Sequence, residues 1–185
     1  MARRSCRTLG VRERPPSTLT TMFTAAETSA LLELLRSQPI GALGTLHKGE
    51  PFVSMAPYAL VPGLNGFTIH VSSLASHTKD MIESAAVSMM VTAIPRPGGL
   101  PQSLARATFQ CQAHRCTEEY PHYEAAKHGY LSRFPQSEPM FGLGDFSLFM
   151  LAPRYMRFVG GFAQASTVMA PELGTILGRV AEGAA

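Results

Sequence analysis

The stretch FTIHVSSLASHTKDMIES, residues 67–84, combines a short strand, a turn of small hydroxyl residues and the first turns of a helix. Apolar and polar side chains alternate over residues 67–72, which predicts a strand with one apolar and one polar face. His70 and Ser72 then share the polar face. The predicted helix opens at residues 76–79, where free backbone N–H groups and the positive end of the helix dipole favour an anion such as phosphate.

The residue types at this helix start allow two interpretations. Ser76 or Thr78 is the N-cap, which is the commonest reason for a hydroxyl residue ahead of a helix. Alternatively, the hydroxyls and the Lys79 ammonium complete a phosphate site, although the stretch lacks the glycines of a nucleotide-binding loop. His70 and His77 are then interpreted as residues that line this site.

Composition indicates one globular domain with a basic N-terminal tail. The chain has 185 residues, of which 45% are hydrophobic and 16% charged, enough for one good core. Residues 1–21 carry five arginines and one glutamate, whereas the rest of the chain carries 11 basic and 12 acidic side chains. The excess positive charge therefore belongs to the tail. Because the remainder shows no basic face with interleaved aromatic residues, nucleic acid is not an expected partner.

The three cysteines, Cys6, Cys111 and Cys116, form no CxxC pair and predict neither a disulfide framework nor a metal site. Cys111 and Cys116 lie five residues apart in a predicted strand, which places them on opposite faces. The sequence has no apolar run of about 18 residues, and no secretory h-region follows its basic start. A cytoplasmic protein without a membrane partner is expected.

The chain divides into three predicted segments. Residues 1–21 lack periodicity and are predicted to be disordered; an organelle transit peptide or a true start at Met22 are the alternatives. Residues 22–168 form the predicted β domain, and residues 169–185 form a short C-terminal helix and tail. Thr24 and Glu27 predict a capping box for the first helix, which Pro39 ends.

From Ile40 onward the apolar period changes to two and turn residues recur at short intervals, as in an antiparallel meander. A helix is predicted at residues 118–134, and a tight Ala152-Pro153 turn is predicted to join the last two strands. The fold class is therefore mainly β with flanking helices (α+β), and closure of six or seven strands into a barrel would remove exposed edges. The predicted strands are residues 40–47, 51–62, 67–72, 86–93, 104–116, 145–151 and 154–160.

Three motifs resemble the FMN-binding split β-barrel family related to pyridoxamine 5′-phosphate oxidase. They are PFVSMAPYAL (residues 51–60), HVSSLASHTKDM (residues 70–81) and DFSLFMLAPRYMRFVGGFAQA (residues 145–165). The last motif is similar to the branch that includes HugZ-type haem-degrading proteins. The resemblance runs from about Thr24 to Ala165 and implies a Greek-key-like split barrel.

The resemblance also implies a homodimer with two FMN sites at the subunit interface. Residues of the second strand would lie along the flavin ring, chiefly through backbone groups, and the strand–turn–helix stretch would hold the phosphate. Arg106 and Gln110 would approach from the polar face of their strand. The implied cofactor-binding residues are Met55, Ala56, Pro57, Tyr58, Ser72, Ser73, His77, Thr78, Lys79, Arg106 and Gln110.

Several positions depart from the family pattern and change the expected function. Ser73 stands where many relatives carry a basic residue, and Asp80 where they carry asparagine, so FMN affinity is expected to be lower. The chain has no tryptophan and lacks the C-terminal pattern with which the oxidases proper hold their substrate, so vitamin B6 oxidation is not assigned. Haem-degrading relatives carry a further C-terminal segment with the iron ligand. Without it, haem oxygenation would need His114, His122, His128 or a ligand from the partner subunit.

The sequence therefore favours an FMN-dependent oxidoreductase that uses NAD(P)H or another small reductant on an unknown small molecule. The cofactor would supply the chemistry, and the catalytic residue is unknown because no side chain stands out as a general acid or base. Two alternatives stay open. One is a non-catalytic flavin or tetrapyrrole binding module, and the other is a haem-binding and haem-degrading protein.

Overall fold

The computed structural model describes residues 23–61, 63–161 and 164–182, so the tail predicted for residues 1–21 lies outside the described residues. The helices are α1 (Ala25–Ser37), α2 (Ser76–Glu83), α3 (Tyr123–Arg133) and α4 (Ala170–Glu182), with 3₁₀ turns at Pro101–Ser103 and Pro135–Gly142. The strands are β1 (Ile40–His47), β2 (Glu50–Pro57), β3 (Ala59–Leu60), β4 (Phe67–Ser72), β5 (Ala86–Thr92), β6 (Arg106–Cys116), β7 (Phe146–Gly161) and β8 (Gln164–Met169).

The strands form one antiparallel sheet in the order β2-β1-β5-β6-β7-β4-β3, and β8 pairs with the second half of β7. Strand β6 pairs with β7 along the whole length of β6, and together the two strands join the two halves of the sheet. The predicted mainly β fold with flanking helices is therefore confirmed.

The inner face of the sheet, defined here as the face that carries Phe109, packs on the main core. Helix α1 starts with the predicted capping box, in which Thr24 and Glu27 bond to each other's backbone N–H groups. It ends before Pro39, as expected. Helices α1, α2 and α4 all bury apolar side chains against this face. The contributing residues are Leu31, Leu34, Leu35, Met81, Leu173, Ile176 and Leu177.

Strand β7 corrects one sequence expectation. The predicted Ala152-Pro153 turn is wrong, because β7 runs without a break from Phe146 to Gly161. Its pairing with β6 shifts where Cys111 faces Pro153 and Gln110 faces Tyr155, which leaves Arg154 as an extra residue. Such a β-bulge moves the alternation of side chains by one residue. The apolar pattern therefore breaks at this point, and a proline is tolerated there because a bulge disrupts the ladder.

The outer face of the sheet is covered on one half only. There, Ala126 and Tyr130 of α3 form a second core with residues of the sheet, namely Ala59, Cys116, Leu148 and Met150. Cys111 belongs to the main core and Cys116 to this second core, so the two cysteines lie on opposite faces as predicted. The other half of the outer face, over β2, β1, β5, β8 and the adjoining parts of β6 and β7, carries exposed side chains.

Candidate functional site

Helix α2 begins without a side-chain cap. Its N-cap is Ala75, so the interpretation of Ser76 or Thr78 as the N-cap is wrong. Within the described part of the chain, the backbone N–H groups of Ser76 and His77 have no hydrogen-bond acceptor. Lys79 and Ser73 are exposed beside them. The free N–H groups can donate hydrogen bonds to an anion, and the helix dipole and the Lys79 ammonium supply positive charge.

Two predicted phosphate ligands already use their hydroxyl groups inside the protein. The buried Thr78 donates its hydroxyl to the carbonyl of Ser72 at 2.6 Å. Ser72 donates its own hydroxyl to the Asp145 carboxylate at 3.1 Å and accepts the N–H of Leu74 at 3.2 Å. These bonds fix the turn between β4 and α2. An anion at the start of α2 is therefore left with the Ser73 and Ser76 hydroxyls, the two N–H groups and the Lys79 ammonium.

Asp80 anchors α2 to β1. Its carboxylate is 2% exposed and accepts hydrogen bonds from the Thr45 hydroxyl at 2.7 Å and from Nδ1 of His47 at 2.8 Å. Burial alone would raise the pKa of Asp80, but these hydrogen bonds lower it below its ordinary value, and so does attraction to His47 and His77 when their imidazoles are protonated. Asp80 therefore stays ionised, and its carboxylate contacts donors on β1, not the free N–H groups at the start of α2.

His77 joins the start of α2 to the edge strand β2. Its Nδ1 lies 3.0 Å from the Ser54 hydroxyl, on the inner face of β2. Burial lowers the pKa of His77, and the nearby Asp80 carboxylate opposes that shift only in part. The imidazole is thus neutral near pH 7 and acts as a hydrogen-bonding link. It holds the free N–H groups of α2 next to the open edge of the sheet.

The edge of β2 offers backbone groups to a ligand. Lys48 and Gly49 have φ angles of 54° and 85°, which fit a type I′ hairpin turn, and His47 pairs with Glu50. A two-residue turn closes on a hydrogen-bonded pair, so Val53 and Met55 point their N–H groups away from β1. The two prolines of β2, Pro51 and Pro57, lack an N–H. The unpaired N–H donors on the open edge of β2 are therefore those of Val53 and Met55.

The four ring-contacting residues predicted on β2 and after it are not equivalent. Met55 is 56% exposed, whereas the side chains of Ala56 and Tyr58 belong to the main core. The Tyr58 hydroxyl donates to the Leu35 carbonyl at 2.9 Å, and burial raises its pKa to about 12. The backbone N–H of Tyr58 is also bonded, to the Pro39 carbonyl. A flat ligand along β2 therefore meets the Met55 side chain and the open backbone of Val53 and Met55.

The strand register brings the predicted sheet residues onto one face. Met55, Ala42, Met90 and Thr108 follow one another across β2, β1, β5 and β6 on the outer face. Arg106 and Gln110 lie two residues on either side of Thr108, so they share that face with Met55. The face is apolar around these polar groups. Its exposed apolar side chains include Ile40, Val53, Met55, Met90 and Met169, exposed at 47, 68, 56, 38 and 59%.

Arg157 was not found by sequence reasoning. It pairs with Thr108 across β6 and β7 and with Thr167 across β7 and β8, which places it on the outer face beside Arg106. Both arginines line a cavity of about 390 Å³ that also includes Gln102 and Gln164. Only the bulge at Arg154 turns Arg157 toward this face. The predicted strand 154–160 sets Arg157 on the face opposite Met156 and Phe158, but no local pattern shows that Arg157 pairs with Thr108.

The histidines considered as haem ligands, and His70, lie elsewhere. His114 is exposed on β6 opposite Met150, and His122 and His128 are exposed at the start of α3 and along it. None of them lines the cavity of Arg106 and Arg157. The interpretation of His70 as a site-lining residue is wrong, because it is 7% exposed and stacks on Phe141 beneath α3. No group of three or more His, Cys, Asp or Glu among the described residues could hold a metal ion.

No protein-family model matches the sequence, and no curated protein matches it significantly. Among solved structures, the chain is similar to a heme binding protein from Mycobacterium smegmatis, with a TM-score of 0.70 and 23% identity over 80% of this chain and 60% of that one. HutZ, a heme storage protein from Vibrio cholerae, has a TM-score of 0.61 and 23% identity over 68% of this chain and 89% of that one.

A third similar structure is a pyridoxinephosphate oxidase family protein from Clostridium acetobutylicum, related to general stress protein 26. Its TM-score is 0.59, with 12% identity over 79% of this chain and 96% of that one. The chain has the split β-barrel fold. The resemblance seen in the three motifs is thereby confirmed at the level of the fold, and the chain spans about 60% of the length of the mycobacterial split barrel. No helix in the described part of the chain is long and apolar enough to cross a membrane.

Proposed function

We propose that this split-barrel protein is a cytoplasmic flavoprotein that binds FMN. The observation that carries the proposal is the uncapped start of α2, where the N–H groups of Ser76 and His77 lack acceptors in the described residues. The Ser54–His77 bond holds this anion-binding end beside the open edge of β2. Phosphate at α2 and a flavin ring along Val53 and Met55 would use both sets of free backbone donors.

The residues present fit FMN at fewer points than the family pattern implies. Ser73, Ser76 and Lys79, with the free N–H groups, would hold the phosphate, whereas Ser72 and Thr78 support the turn through bonds of their own. When bound, FMN would supply hydride or electron transfer between NAD(P)H or another small reductant and a small-molecule acceptor. The chain's own part is to orient the cofactor and exclude water from one side of it.

We further propose that the protein is a homodimer that buries the exposed half of the outer face. Val53, Met55, Met90 and Met169 form an apolar surface there, interspersed with Gln110 and Arg106. Contiguous exposed apolar surface of this kind is typical of a protein interface. A dimer through this face would cover the ring site at β2 with a second subunit. Size-exclusion chromatography with light scattering distinguishes a dimer from a monomer of 19.9 kDa.

The proposed function is tested first by absorption spectra of the purified protein, recorded after separate additions of FMN and haemin and after desalting. Retained flavin bands support the proposal. Turnover of NAD(P)H by the FMN-loaded protein then separates an oxidoreductase from a non-catalytic flavin module. Loss of every flavin band on desalting, with no binding by titration, would overturn it.

Lys79→Ala should weaken FMN about tenfold and leave riboflavin unchanged, because only FMN carries the phosphate that the ammonium would contact. Fluorescence titration of both flavins measures the two dissociation constants. Lys48→Ala is the matched control, since it removes the same charge at the tip of the β1–β2 hairpin. Equal weakening of FMN and riboflavin by Lys79→Ala would contradict a phosphate at α2.

Asp80→Asn should tighten FMN about three- to tenfold, because it removes a negative charge roughly 8 Å from the proposed phosphate while asparagine can still accept the Thr45 bond. Riboflavin affinity should not change. Glu83→Gln removes an exposed charge at the far end of α2 and serves as the control. If both variants shift FMN affinity equally, the effect is one of net charge and Asp80 has no specific influence.

Haem binding is the second candidate function. It is favoured by the two arginines, Arg106 and Arg157, that line one cavity on the outer face, since haem carries two propionates and guanidinium groups bind carboxylates. The heme binding protein from Mycobacterium smegmatis and HutZ share the split-barrel fold with this chain, and that shared fold supports haem as a second candidate ligand. A Soret band retained after desalting, and lost under reductant and oxygen, would favour haem degradation over the flavin proposal. The iron ligand would then come from His114, His122, His128 or the partner subunit.

A further inference from the structure

We infer that α3 and the 3₁₀ turn Pro135–Gly142 form a cover on the sheet that opens in mild acid, because His70 beneath it becomes protonated. The cover, defined here as residues 123–142, is separate from the start of α2, so the inference does not depend on FMN binding. It packs on the second core, which lies on the other face of the sheet from the main core. The cover can therefore leave the sheet while the main core stays intact.

His70 lies at the contact between β4 and the cover. Its ring stacks on Phe141 of the 3₁₀ turn, with the two centroids 3.8 Å apart, and it meets the ring of Tyr130 of α3 edge-on at 5.8 Å. Phe146 of β7 is a third ring beside it, at 5.2 Å. Two of these three aromatic contacts come from the cover. A change in the charge of the imidazole therefore acts directly on the packing of the cover.

The surroundings of His70 offer nothing that would stabilise an imidazolium. Its Nδ1 is buried and has no hydrogen-bond partner among the described residues, and no carboxylate among them forms an ion pair with it. From α3 it is faced by the Lys127 ammonium, which repels a second positive charge, and by the neutral phenol of Tyr130. Phe141 and Phe146, from the 3₁₀ turn and β7, are uncharged. Burial and the ammonium lower the pKa of His70 from 6.5 to about 4.

Opening of the cover removes this obstacle to protonation. Once Phe141 and Tyr130 leave and water enters, His70 can bind a proton at its ordinary pKa of about 6.5. The open form then holds a proton that the closed form excludes, so acid shifts the equilibrium toward the open form. The open population should rise by up to about tenfold for each pH unit between 6.5 and 4.

The cover is also held by fewer contacts than the rest of the fold. The second core has six buried side chains among the described residues, whereas the main core has 25. Arg133 bonds the end of α3 to carbonyls of α1 and of the residue after it. The remainder of the cover meets the sheet mainly through apolar and aromatic side chains. A small peripheral unit of this kind opens at a lower free energy than the whole domain.

Two buried cysteines distinguish opening of the cover from global unfolding. Cys111 and Cys116 are both 4% exposed, but Cys116 belongs to the second core and Cys111 to the main core. In the full chain with Cys6→Ser, both thiols are labelled with 4,4′-dithiodipyridine at pH 7.5, 5.5 and 4.5, and mass spectrometry of peptides locates each label. Each rate is divided by the rate for the same protein unfolded in urea at that pH, which removes the pH dependence of the thiol chemistry.

At pH 4.5, Cys116 should react about tenfold or more faster than Cys111, because only opening of the cover exposes Cys116 without the main core. Its relative rate should also rise about tenfold or more between pH 7.5 and 4.5. His70→Phe should remove most of that rise, since phenylalanine can keep the stack on Phe141 and binds no proton. His128→Gln removes an exposed histidine from α3 and should follow the parent protein.

Three results would overturn the inference. One is an equal rate for Cys111 and Cys116 at pH 4.5, which means that only global unfolding exposes either thiol. Another is a Cys116 rate that does not change with pH. The third is a rise at Cys116 that His70→Phe leaves unchanged. Circular dichroism of each variant at each pH checks that it is folded, and the comparison of the two cysteines in the parent protein stands without any change at His70.

Discussion

Arg133→Ala should lower the free energy of unfolding by about 3 kcal/mol, because one guanidinium closes the C-terminal end of α1. Its Nη2 donates to the carbonyls of Leu35, Arg36 and Gln38 at 3.0, 3.1 and 2.8 Å. The same group lies over the Tyr58 ring, 4.7 Å from its centroid. Helix C-termini leave carbonyls without partners, and a cation there also interacts with the helix dipole. Alanine would remove one donor from each of these carbonyls, of which that of Leu35 keeps the Tyr58 hydroxyl, and it would also remove the cation–π contact.

Urea unfolding followed by circular dichroism measures the loss, which corresponds to a melting temperature lower by roughly 6–12 °C for a chain of this size. Arg133→Lys tests the geometry, since lysine keeps the charge but cannot reach three carbonyls with a planar fork; about half of the loss should return. Arg154→Ala, an exposed arginine on β7, should stay within about 0.5 kcal/mol of the parent protein. A similar result for Arg133→Ala would show that α1 is held by its apolar face alone.

Arg133 also shows why part of this fold could be predicted from the sequence and part could not. The start of α1 is encoded locally by Thr24 and Glu27, three residues apart, and its end by Pro39. The hydrogen bonds to the carbonyls at the end of α1 come from Arg133, which lies 95 to 98 positions further along the chain. No local pattern marks such a contact. From the sequence, Arg133 is predicted only to be a cation near the end of the helix that contains it, α3.

The same distinction holds for the candidate site. Alternation correctly gave the two faces of β6, and with them the shared side of Arg106 and Gln110. It did not single out Arg157, because the register that pairs Arg157 with Thr108 depends on the bulge at Arg154 and on pairing with β6 rather than on β7 alone. Strand β8, which completes the cavity through Gln164 and Ala165, was missed as well.

On β4, alternation predicted a polar face that lines the site, but the tertiary packing buries that face. Thr68 and His70 are buried because α3 and the 3₁₀ turn Pro135–Gly142 cover them. A strand buried on both faces normally reads as a continuous apolar run. His70 interrupts that apolar run, and burying its imidazole lowers the free energy of unfolding. Its Nδ1 has no hydrogen-bond partner within the described residues.

His70 should make the protein lose stability in mild acid. Burial among aromatic rings and the nearby Lys127 ammonium lower the pKa of His70 from 6.5 to about 4. The folded protein therefore keeps His70 neutral, while the unfolded chain binds a proton below about pH 6.5. Because the unfolded state binds more protons, the free energy of unfolding falls as the pH drops from 6.5 to 4, by up to about 3 kcal/mol from this group.

His70→Phe should remove most of this acid sensitivity. Phenylalanine can keep the stack on Phe141, whose ring lies parallel to the imidazole at 3.8 Å, and it carries no unpartnered nitrogen. At pH 7.5 the variant should equal or exceed the parent protein by about 1 kcal/mol. At pH 4.5 the difference in its favour should grow to roughly 2–3 kcal/mol, measured by urea unfolding at pH 7.5, 5.5 and 4.5.

The pH range separates His70 from the buried carboxylate of Asp80. The pKa of His77 is also lowered by burial, so His77 contributes in the same pH range as His70, and the difference between His70→Phe and the parent protein isolates the part that His70 contributes. Asp80 has a pKa below its ordinary value of 3.8, so the stability that its ionised form contributes is kept above about pH 4 and lost only below it. Measurements at pH 4.5 and above therefore report on His70 and not on Asp80. His128→Gln, which removes an exposed histidine from α3, should follow the parent protein at every pH. If His70→Phe does the same, His70 accepts a proton without opening the packing between α3 and β4.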